Sequence, residues 1–139
     1  MEERIISRID DKIDEIEEAL KDLGELAVND LESYKKDKKT KIASQRYLEI
    51  IAEGIISLVF LVIRYKKLIS PETEEHAFFI LAKNKIISER LATKLKDLKD
   101  MRNKLAHQYE KVDDAIVYSA ITEEIPKDSE EFLGTIKKV

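Results

Sequence analysis

Residues 47–65 read YLEIIAEGIISLVFLVIRY, and this stretch decides the fold. Its apolar side chains recur at helical spacing and predict a long helix from about Thr40 to Leu68. Over residues 60–63 the helix is apolar on nearly every side. Such a helix either occupies the centre of a bundle or is covered by a second subunit. Gly54, near its middle, marks either the close approach of another helix or a tolerated glycine that costs about 1 kcal/mol against alanine.

On the amino-terminal side of this stretch, a first helix is predicted over about residues 2–23, with Gly24 ending it. Its apolar residues follow one another at spacings of three and four and form one seam: Ile5, Ile9, Ile13, Ile16, Leu20 and Leu23. A weaker helical pattern continues to about residue 35. The lysine-rich residues 35–41 are predicted to be a solvated connection or a helix end.

On the carboxyl-terminal side, Ser70 and Pro71 have the pattern of a helix cap followed by the first helical position. They predict a helix whose buried side holds Ala77, Phe78, Ile80 and Leu81. His76 lies beside this apolar side and is interpreted as a structural or surface histidine. Ser88 is then predicted to cap a third long helix.

The last helix is predicted to start at a cap formed by Asp113 or Asp114. Proline lacks the backbone N–H that a helix interior needs, so Pro126 must kink or break this helix. Ser129 is predicted to cap the remaining terminal piece. No strand-length alternation, glycine-rich phosphate loop or internal repeat is present.

These patterns predict an all-α protein. The expected architecture is an up-and-down four-helix bundle with one or two short extra helices, built as a single domain over residues 1–139. The low glycine and proline content agrees with long helices.

The composition excludes several classes of site. The chain has no cysteine, which rules out disulfides, iron–sulfur clusters and thiolate zinc sites, and its two histidines cannot form a His-rich metal site. A net charge of −4 argues against non-specific coating of nucleic acid. Basic side chains are nevertheless concentrated in residues 35–46 and 94–111, where they form either a local anion site or ordinary solvated helix faces.

The sequence also predicts a cytoplasmic protein that does not cross a membrane. Its amino-terminal residues are polar and acidic, whereas a secretion signal needs a basic start and an apolar run. The longest apolar stretch, Ile55 to Ile63, has nine residues and is too short to span a bilayer.

The stretch with the clearest chemistry is MRNKLAHQY, residues 101–109. The planar guanidinium of Arg102 can bind phosphate oxygens with two hydrogen bonds. His107 can accept or donate a proton near neutral pH. Cleavage of a phosphodiester by an RNA 2′-hydroxyl needs these two functions and, if they are well placed, no metal ion.

The spacing of this pair creates a geometric problem. On a straight helix Arg102 and His107 lie about 140° apart around the axis. They converge if the helix bends or ends near residues 106–109, or if another chain completes the site. Without other information, a surface helix end whose cations complement the helix dipole explains the same residues.

Two stretches of the sequence resemble a known family. Residues 102–107, RNKLAH, match the R-N-x-x-x-H form of the R-x4-6-H signature of HEPN domains. With Tyr109 they match the R-x4-H-x-Y form typical of HepT toxins. Residues 46–54 are similar to the second helix of HepT-like proteins. Pro126 departs from the family's unbroken final helix.

The resemblance implies a HEPN-fold homodimer whose two motifs face each other across a cleft, and an RNase that needs no metal or other cofactor. His107 is implied as general base or acid at the 2′-hydroxyl, and Arg102 as the group that holds the scissile phosphate. Asn103 is implied to orient His107 or to contact RNA. Cleavage by this route leaves a 2′,3′-cyclic phosphate or its 3′-phosphate product. Candidate RNA contacts are Lys99, Lys104 and Lys111.

The resemblance also implies a protein partner. In HepT-like systems a minimal nucleotidyltransferase acts as the antitoxin and transfers AMP from ATP to the motif tyrosine, here Tyr109. The added phosphodiester would occupy the phosphate site and block RNA. The alternatives are a non-catalytic domain, which binds nucleotides or serves as partner subunit of a nucleotidyltransferase, and a purely structural bundle. Glu49 and Glu53 are interpreted as ordinary helix-face carboxylates rather than as partners of His107.

Overall fold

The computed structural model describes residues 2–26, 30–107 and 112–139. These residues form helices and no strand, which confirms the all-α prediction. In chain order the helices are α1 (Glu2–Glu25), α2 (Leu31–Lys36), α3 (Lys38–Tyr65), α4 (Glu74–Lys83), α5 (Glu89–His107), α6 (Asp114–Ser119), a π-helical turn (Ala120–Glu124) and α7 (Ile125–Lys137). Four long helical units, namely α1, α3, α5 and the run from α6 to α7, make the predicted bundle, and α2 and α4 are the short extra helices. No helix among the described residues has the length and apolarity needed to cross a bilayer.

Helix α3 is the centre of the bundle. It packs against α1, α4, α5 and α7. Its side chains are buried on several faces of the helix, with Leu48, Ile51, Leu58, Val59 and Val62 fully inaccessible. The central position, one of the two explanations left open for its apolar surface, is therefore confirmed. Cover by a second subunit is not needed to explain it.

Helices α1 and α3 approach each other closely at Gly54. A Cβ atom placed on Gly54 would lie 2.8 Å from Cγ1 of Ile16, closer than real Cβ contacts allow. The side chain of Ile16 is 1% exposed and fills the space that a larger residue at position 54 would need. This confirms the close-approach interpretation of the mid-helix glycine.

Two of the predicted helix starts are confirmed by their capping hydrogen bonds. Oγ of Ser88 accepts the backbone N–H of Leu91 at 3.0 Å, at the start of α5. A carboxylate oxygen of Asp113 accepts the backbone N–H of Ala115 at 2.8 Å, at the start of α6. Both residues act through a side-chain oxygen that satisfies an otherwise unpaired N–H of the first turn.

The predicted start at Ser70 and Pro71 is wrong. Helix α4 begins at Glu74, and its cap is Thr73, whose Oγ1 accepts the backbone N–H of His76 at 2.9 Å. Two acidic residues follow this threonine in the first turn, where the helix dipole favours negative charge. His76 has the structural role predicted for it, because its Nδ1 accepts the backbone N–H of Glu72 at 3.1 Å.

Of the two interpretations left open for the lysine-rich residues 35–41, the helix end is confirmed, because α2 ends at Lys36, and the solvated connection is wrong. Only Asp37 separates α2 from α3, which starts two residues before the predicted Thr40. The carboxylate of Asp37 accepts hydrogen bonds from the backbone N–H of Thr40 at 3.1 Å and from the hydroxyl of Thr40 at 2.8 Å. These hydrogen bonds lower the pKa of Asp37. One well-placed cap therefore replaces the expected loop.

The last helix passes Pro126 without leaving the helical region. The backbone stays right-handed helical at Ser119, Ala120, Glu124 and Ile125, and the hydrogen-bond ladder widens to a π-helical turn before Pro126. Instead of the expected break, the backbone hydrogen-bond pattern changes from α-helical to π-helical before Pro126. This change accommodates the hydrogen bond that proline, which has no N–H, cannot donate. The prediction that Ser129 caps a separate piece is wrong, because Ser129 is fully buried inside α7.

Candidate active site at the end of α5

The two central motif residues lie on one helix. Helix α5 continues to His107 without interruption, so it does not end between Arg102 and His107. The side chain of Arg102 is 16% exposed and sits at the contact of α5 with α4. His107 is exposed at the end of the helix. The separation of about 140° around the axis therefore applies within one chain.

The guanidinium of Arg102 is held by two residues. Its Nη2 donates to Oε1 of Glu74, on α4, at 2.8 Å. Its Nε and Nη2 donate to Oδ1 of Asn103 at 3.1 and 2.8 Å. The amide oxygen of Asn103 is thus used by Arg102, and an orienting contact from Asn103 to His107 stays a prediction.

Sequence reasoning missed Glu74. It lies 28 residues before Arg102, and only the packing of α4 on α5 brings them together. A signal was present in the charge pattern, because the acidic first turn of α4 is complementary to the basic residues of α5. Because the sequence prediction started α4 at Ser70 and Pro71, it did not identify Glu74 as the first residue of the helix that packs against α5.

Acidic residues offset the cations of the predicted basic segment. Lys99 pairs with Asp100 at 3.1 Å. Lys96 lies 3.3 Å from Asp100 and 3.6 Å from Glu75 on α4. Burial raises the pKa of the Asp100 carboxyl, but hydrogen bonds and charge from the two lysines outweigh it, so this pKa lies below its usual value. With Arg102 and Glu74, the α4–α5 contact holds three cations and three carboxylates.

The predicted RNA contacts therefore differ in availability. Lys99 is 17% exposed and engaged with Asp100. Lys104 is exposed on the last turn of α5. Lys111 and Tyr109 lie outside the described residues, so their roles stay predictions.

The second basic segment, residues 35–46, is also paired with acidic side chains. Nζ of Lys41, near the start of α3, lies 2.9 Å from Oδ2 of Asp114 in a partly buried ion pair. This pair ties α3 to the first turn of α6. Nη1 of Arg46 lies 3.3 Å from Oε2 of Glu49, which agrees with an ordinary helix-face role for that carboxylate. Glu53 is exposed on the same helix.

Other features of the described residues lie away from Arg102. Within residues 2–26, 30–107 and 112–139, no three His, Asp or Glu side chains are grouped to hold a metal ion. A pocket of about 530 Å³ lies between α1, α3, the π-helical turn and α7. Its lining includes Leu23, Tyr34, Ser44 and Tyr118 but neither motif residue. The rings of Tyr34 and Tyr118 pack at 5.4 Å between centroids.

Comparison with known proteins gives one family and several solved structures. The family described as "Ribonuclease HepT-like" matches residues 16–136. No curated protein matches the chain significantly.

Two similar structures are toxin–antitoxin complexes. The tri-AMPylated HEPN toxin of Shewanella oneidensis, solved with an MNT antitoxin, is 25% identical with a TM-score of 0.87, over 94% of this chain and 97% of that one. A chain of a mutant MntA–HpeT toxin–antitoxin structure is 26% identical with a TM-score of 0.84, over 94% and 98%. YutE from Bacillus subtilis, a cytosolic protein of unknown function, is 21% identical with a TM-score of 0.79, over 95% and 87%, and shows a common fold alone.

Proposed function

Because the chain belongs to the HepT-like ribonuclease family, whose match spans residues 16–136, we propose that it is a metal-independent endoribonuclease and the toxin of a toxin–antitoxin pair. The observation that carries this proposal is the intact motif, Arg102 to His107, inside the matched region and on the last turns of α5. We propose a cytoplasmic location, where cellular RNA is available as substrate.

In the proposed reaction, His107 removes the proton of a ribose 2′-hydroxyl. The 2′-oxygen then attacks the adjacent phosphorus, the bond to the 5′-oxygen breaks, and that oxygen takes a proton from water and leaves as a hydroxyl. The protonated His107 returns its proton to the solvent. Arg102 binds the non-bridging oxygens and stabilises the charge that develops on them. The products are a 2′,3′-cyclic phosphate and a 5′-hydroxyl end. Lys104 and Lys111 are proposed to contact the RNA backbone.

A homodimer is proposed because one helix does not present both groups to one phosphate. Arg102 is largely buried against α4, and His107 is exposed about 140° away around α5. If two copies of the α5 end face each other, Arg102 of one subunit and His107 of the other can reach the same phosphate. A two-fold axis would then create two equivalent sites.

The proposed regulator is a minimal nucleotidyltransferase that acts as the antitoxin. The comparison supports it, since the similar Shewanella oneidensis toxin is AMPylated and bound to an MNT antitoxin. For this chain the proposed acceptor is Tyr109. Its phenolic oxygen would attack the α-phosphorus of ATP, form Tyr–O–AMP and release pyrophosphate. The new phosphodiester anion would lie two residues from His107 and compete with RNA for Arg102.

One observation favours the second candidate, a non-catalytic domain that binds nucleotides or a nucleotidyltransferase. Arg102 is already paired with Glu74, and its surroundings at the α4–α5 contact are formally neutral. A neutral site can bind a small anion through directed hydrogen bonds without attracting RNA over a distance.

Cleavage of cellular RNA by the purified protein in EDTA tests the ribonuclease proposal. We expect cleavage by the wild type and a loss of about 10²- to 10⁴-fold in His107→Ala, because a general base is removed. His76→Ala is a matched control, since it changes the chain's other histidine, which has a backbone-capping role. Circular dichroism checks the fold of each variant. An inert wild type, or equal cleavage by His107→Ala, would contradict the proposal.

The regulation is tested by expression with and without the nucleotidyltransferase and by intact-mass measurement. We expect added AMP groups in the wild type with the enzyme and none in Tyr109→Phe. Tyr65→Phe is the control, because Tyr65 lies at the far end of α3. AMP on Tyr109→Phe at the wild-type level would show that another residue is the acceptor.

A further inference from the structure

Among the described residues, the hydrogen bonds of Arg102 use two of its three side-chain nitrogens. A guanidinium has five N–H donors. Three of them, on Nε and Nη2, donate to Asn103 and Glu74. The two on Nη1 have no partner among residues 2–26, 30–107 and 112–139. The side chain is therefore held on one edge, and Nη1 is the donor left for a phosphate oxygen.

The two partners hold Arg102 in different ways. Asn103 is the next residue on α5, so it moves with the arginine backbone. Glu74 comes from α4, whose first turn is fixed by the Thr73 cap and by burial of Ala77 and Phe78 in the core. Glu74 is therefore the contact that fixes the guanidinium relative to the rest of the bundle.

Its position also makes the carboxylate of Glu74 suitable for this task. It lies on the first residue of α4, where the helix dipole favours a negative charge. It is 37% exposed, while Arg102 is 16% exposed. The ion pair is thus partly shielded from solvent, and a charge-assisted hydrogen bond there is stronger than on an open surface.

From this geometry we infer that Glu74 is a positioning residue for the ribonuclease reaction: it orients Arg102 so that Nη1 faces the scissile phosphate. The inference rests on the proposed function. Glu74 touches neither RNA nor reacting atoms in this role and acts through the arginine alone. Glu75, its neighbour, pairs with Lys96 and forms no hydrogen bond or ion pair with Arg102.

The first test is kinetic and compares four variants with the wild type. We expect Glu74→Ala to lower kcat about 10- to 100-fold with a smaller change in KM, because a misplaced guanidinium slows the chemical step by about that factor. Glu74→Gln keeps an acceptor oxygen without the charge, and it is expected to lose less activity than Glu74→Ala. Glu74→Asp, with a shorter side chain, is expected to lose activity although its charge is unchanged. Glu75→Ala is the matched control and is expected to behave as the wild type.

The second test does not depend on cleavage. In nuclear magnetic resonance spectra the Nη2–H signal of Arg102, identified by its loss in Arg102→Lys, reports on the edge of the guanidinium that Glu74 holds. We expect its exchange with solvent to be faster in Glu74→Ala than in the wild type, Glu74→Gln or Glu75→Ala. If Glu74→Ala does not fold, Glu74→Asp takes its place in both tests.

The outcomes separate this inference from the proposed function. Slower cleavage and faster Nη2–H exchange that are strongest in Glu74→Ala, and absent in Glu75→Ala, support it. Equal loss in Glu74→Gln and Glu74→Ala, or equal effects of Glu75→Ala, would overturn it while leaving the ribonuclease intact. If the wild type cleaves no RNA, the proposed function fails, and the exchange measurement alone decides whether Glu74 holds Arg102.

Discussion

The contact of α1 with α3 and the contact of α4 with α5 are built from different chemistry. The first is apolar and tight, with Ile16 packed closely against Gly54. The second carries three cations and three carboxylates at its rim, including Arg102 and Glu74. The first contact is complete within one chain. The second holds a partly exposed guanidinium that can meet a further anion, so stability and the proposed chemistry are located in different parts of the bundle.

The largest effect on stability is expected from the apolar centre. Leu58→Ala should lower the free energy of unfolding by about 2–5 kcal/mol, because Leu58 is fully buried in α3 and the smaller alanine would leave a cavity. Denaturant unfolding at one protein concentration measures this change. Ile42→Ala, at a 59% exposed position of the same helix, is the control and should change stability by less than about 0.5 kcal/mol. Equal losses in the two variants would mean that α3 is not the central helix.

A smaller effect is expected where α1 approaches α3. Gly54→Ala places a Cβ 2.8 Å from Ile16, and this crowding costs about 1–3 kcal/mol, against about 1 kcal/mol gained from helix propensity. We expect a net loss of about 1 kcal/mol. Gly134→Ala has open space around its Cβ in α7 and should gain up to about 1 kcal/mol. Thermal unfolding of both variants tests the contrast, and stabilisation by both would contradict the close approach.

The smallest effect is expected from pH at the α4–α5 contact. In the folded protein the pKa of Asp100 lies below its usual value of 3.8. The ionised carboxylate therefore stabilises the fold at pH values above 3.8. The contribution is lost as pH falls through the lowered pKa, because the unfolded chain then binds the extra proton. Asp100→Asn should therefore make the fall in melting temperature between about pH 6 and pH 3 shallower. The exposed Asp97→Asn is the control, and identical pH profiles of the two variants would count against the pairing.

The sequence predicts most of this fold because apolar periodicity is local. The seam of α1, the long α3 and the caps at Ser88 and Asp113 follow from residues within one or two turns of each other. The errors at Ser70 and at Ser129 have one cause. Several residues nearby can each form a cap, and tertiary packing decides which one does.

The site is less predictable than the fold. The motif identifies Arg102 and His107, but its spacing cannot say which side chains surround them. Glu74 lies on another helix, and its pairing depends on the register between α4 and α5. The lysines of the basic segment look available in the sequence, yet Lys99 is engaged with Asp100. Charges that are close in space and distant in sequence are the part that a one-dimensional pattern does not contain.

The central claim is that Arg102 of one subunit and His107 of the other act on one phosphate. Mixing Arg102→Ala with His107→Ala protein tests it, after subunit exchange has been verified. Each variant alone should be inactive, and the mixture should regain about a quarter of the wild-type activity, because half of the dimers are mixed and each of these holds one complete site. A mixture that stays as inactive as its parents, despite exchanged subunits, would contradict the claim.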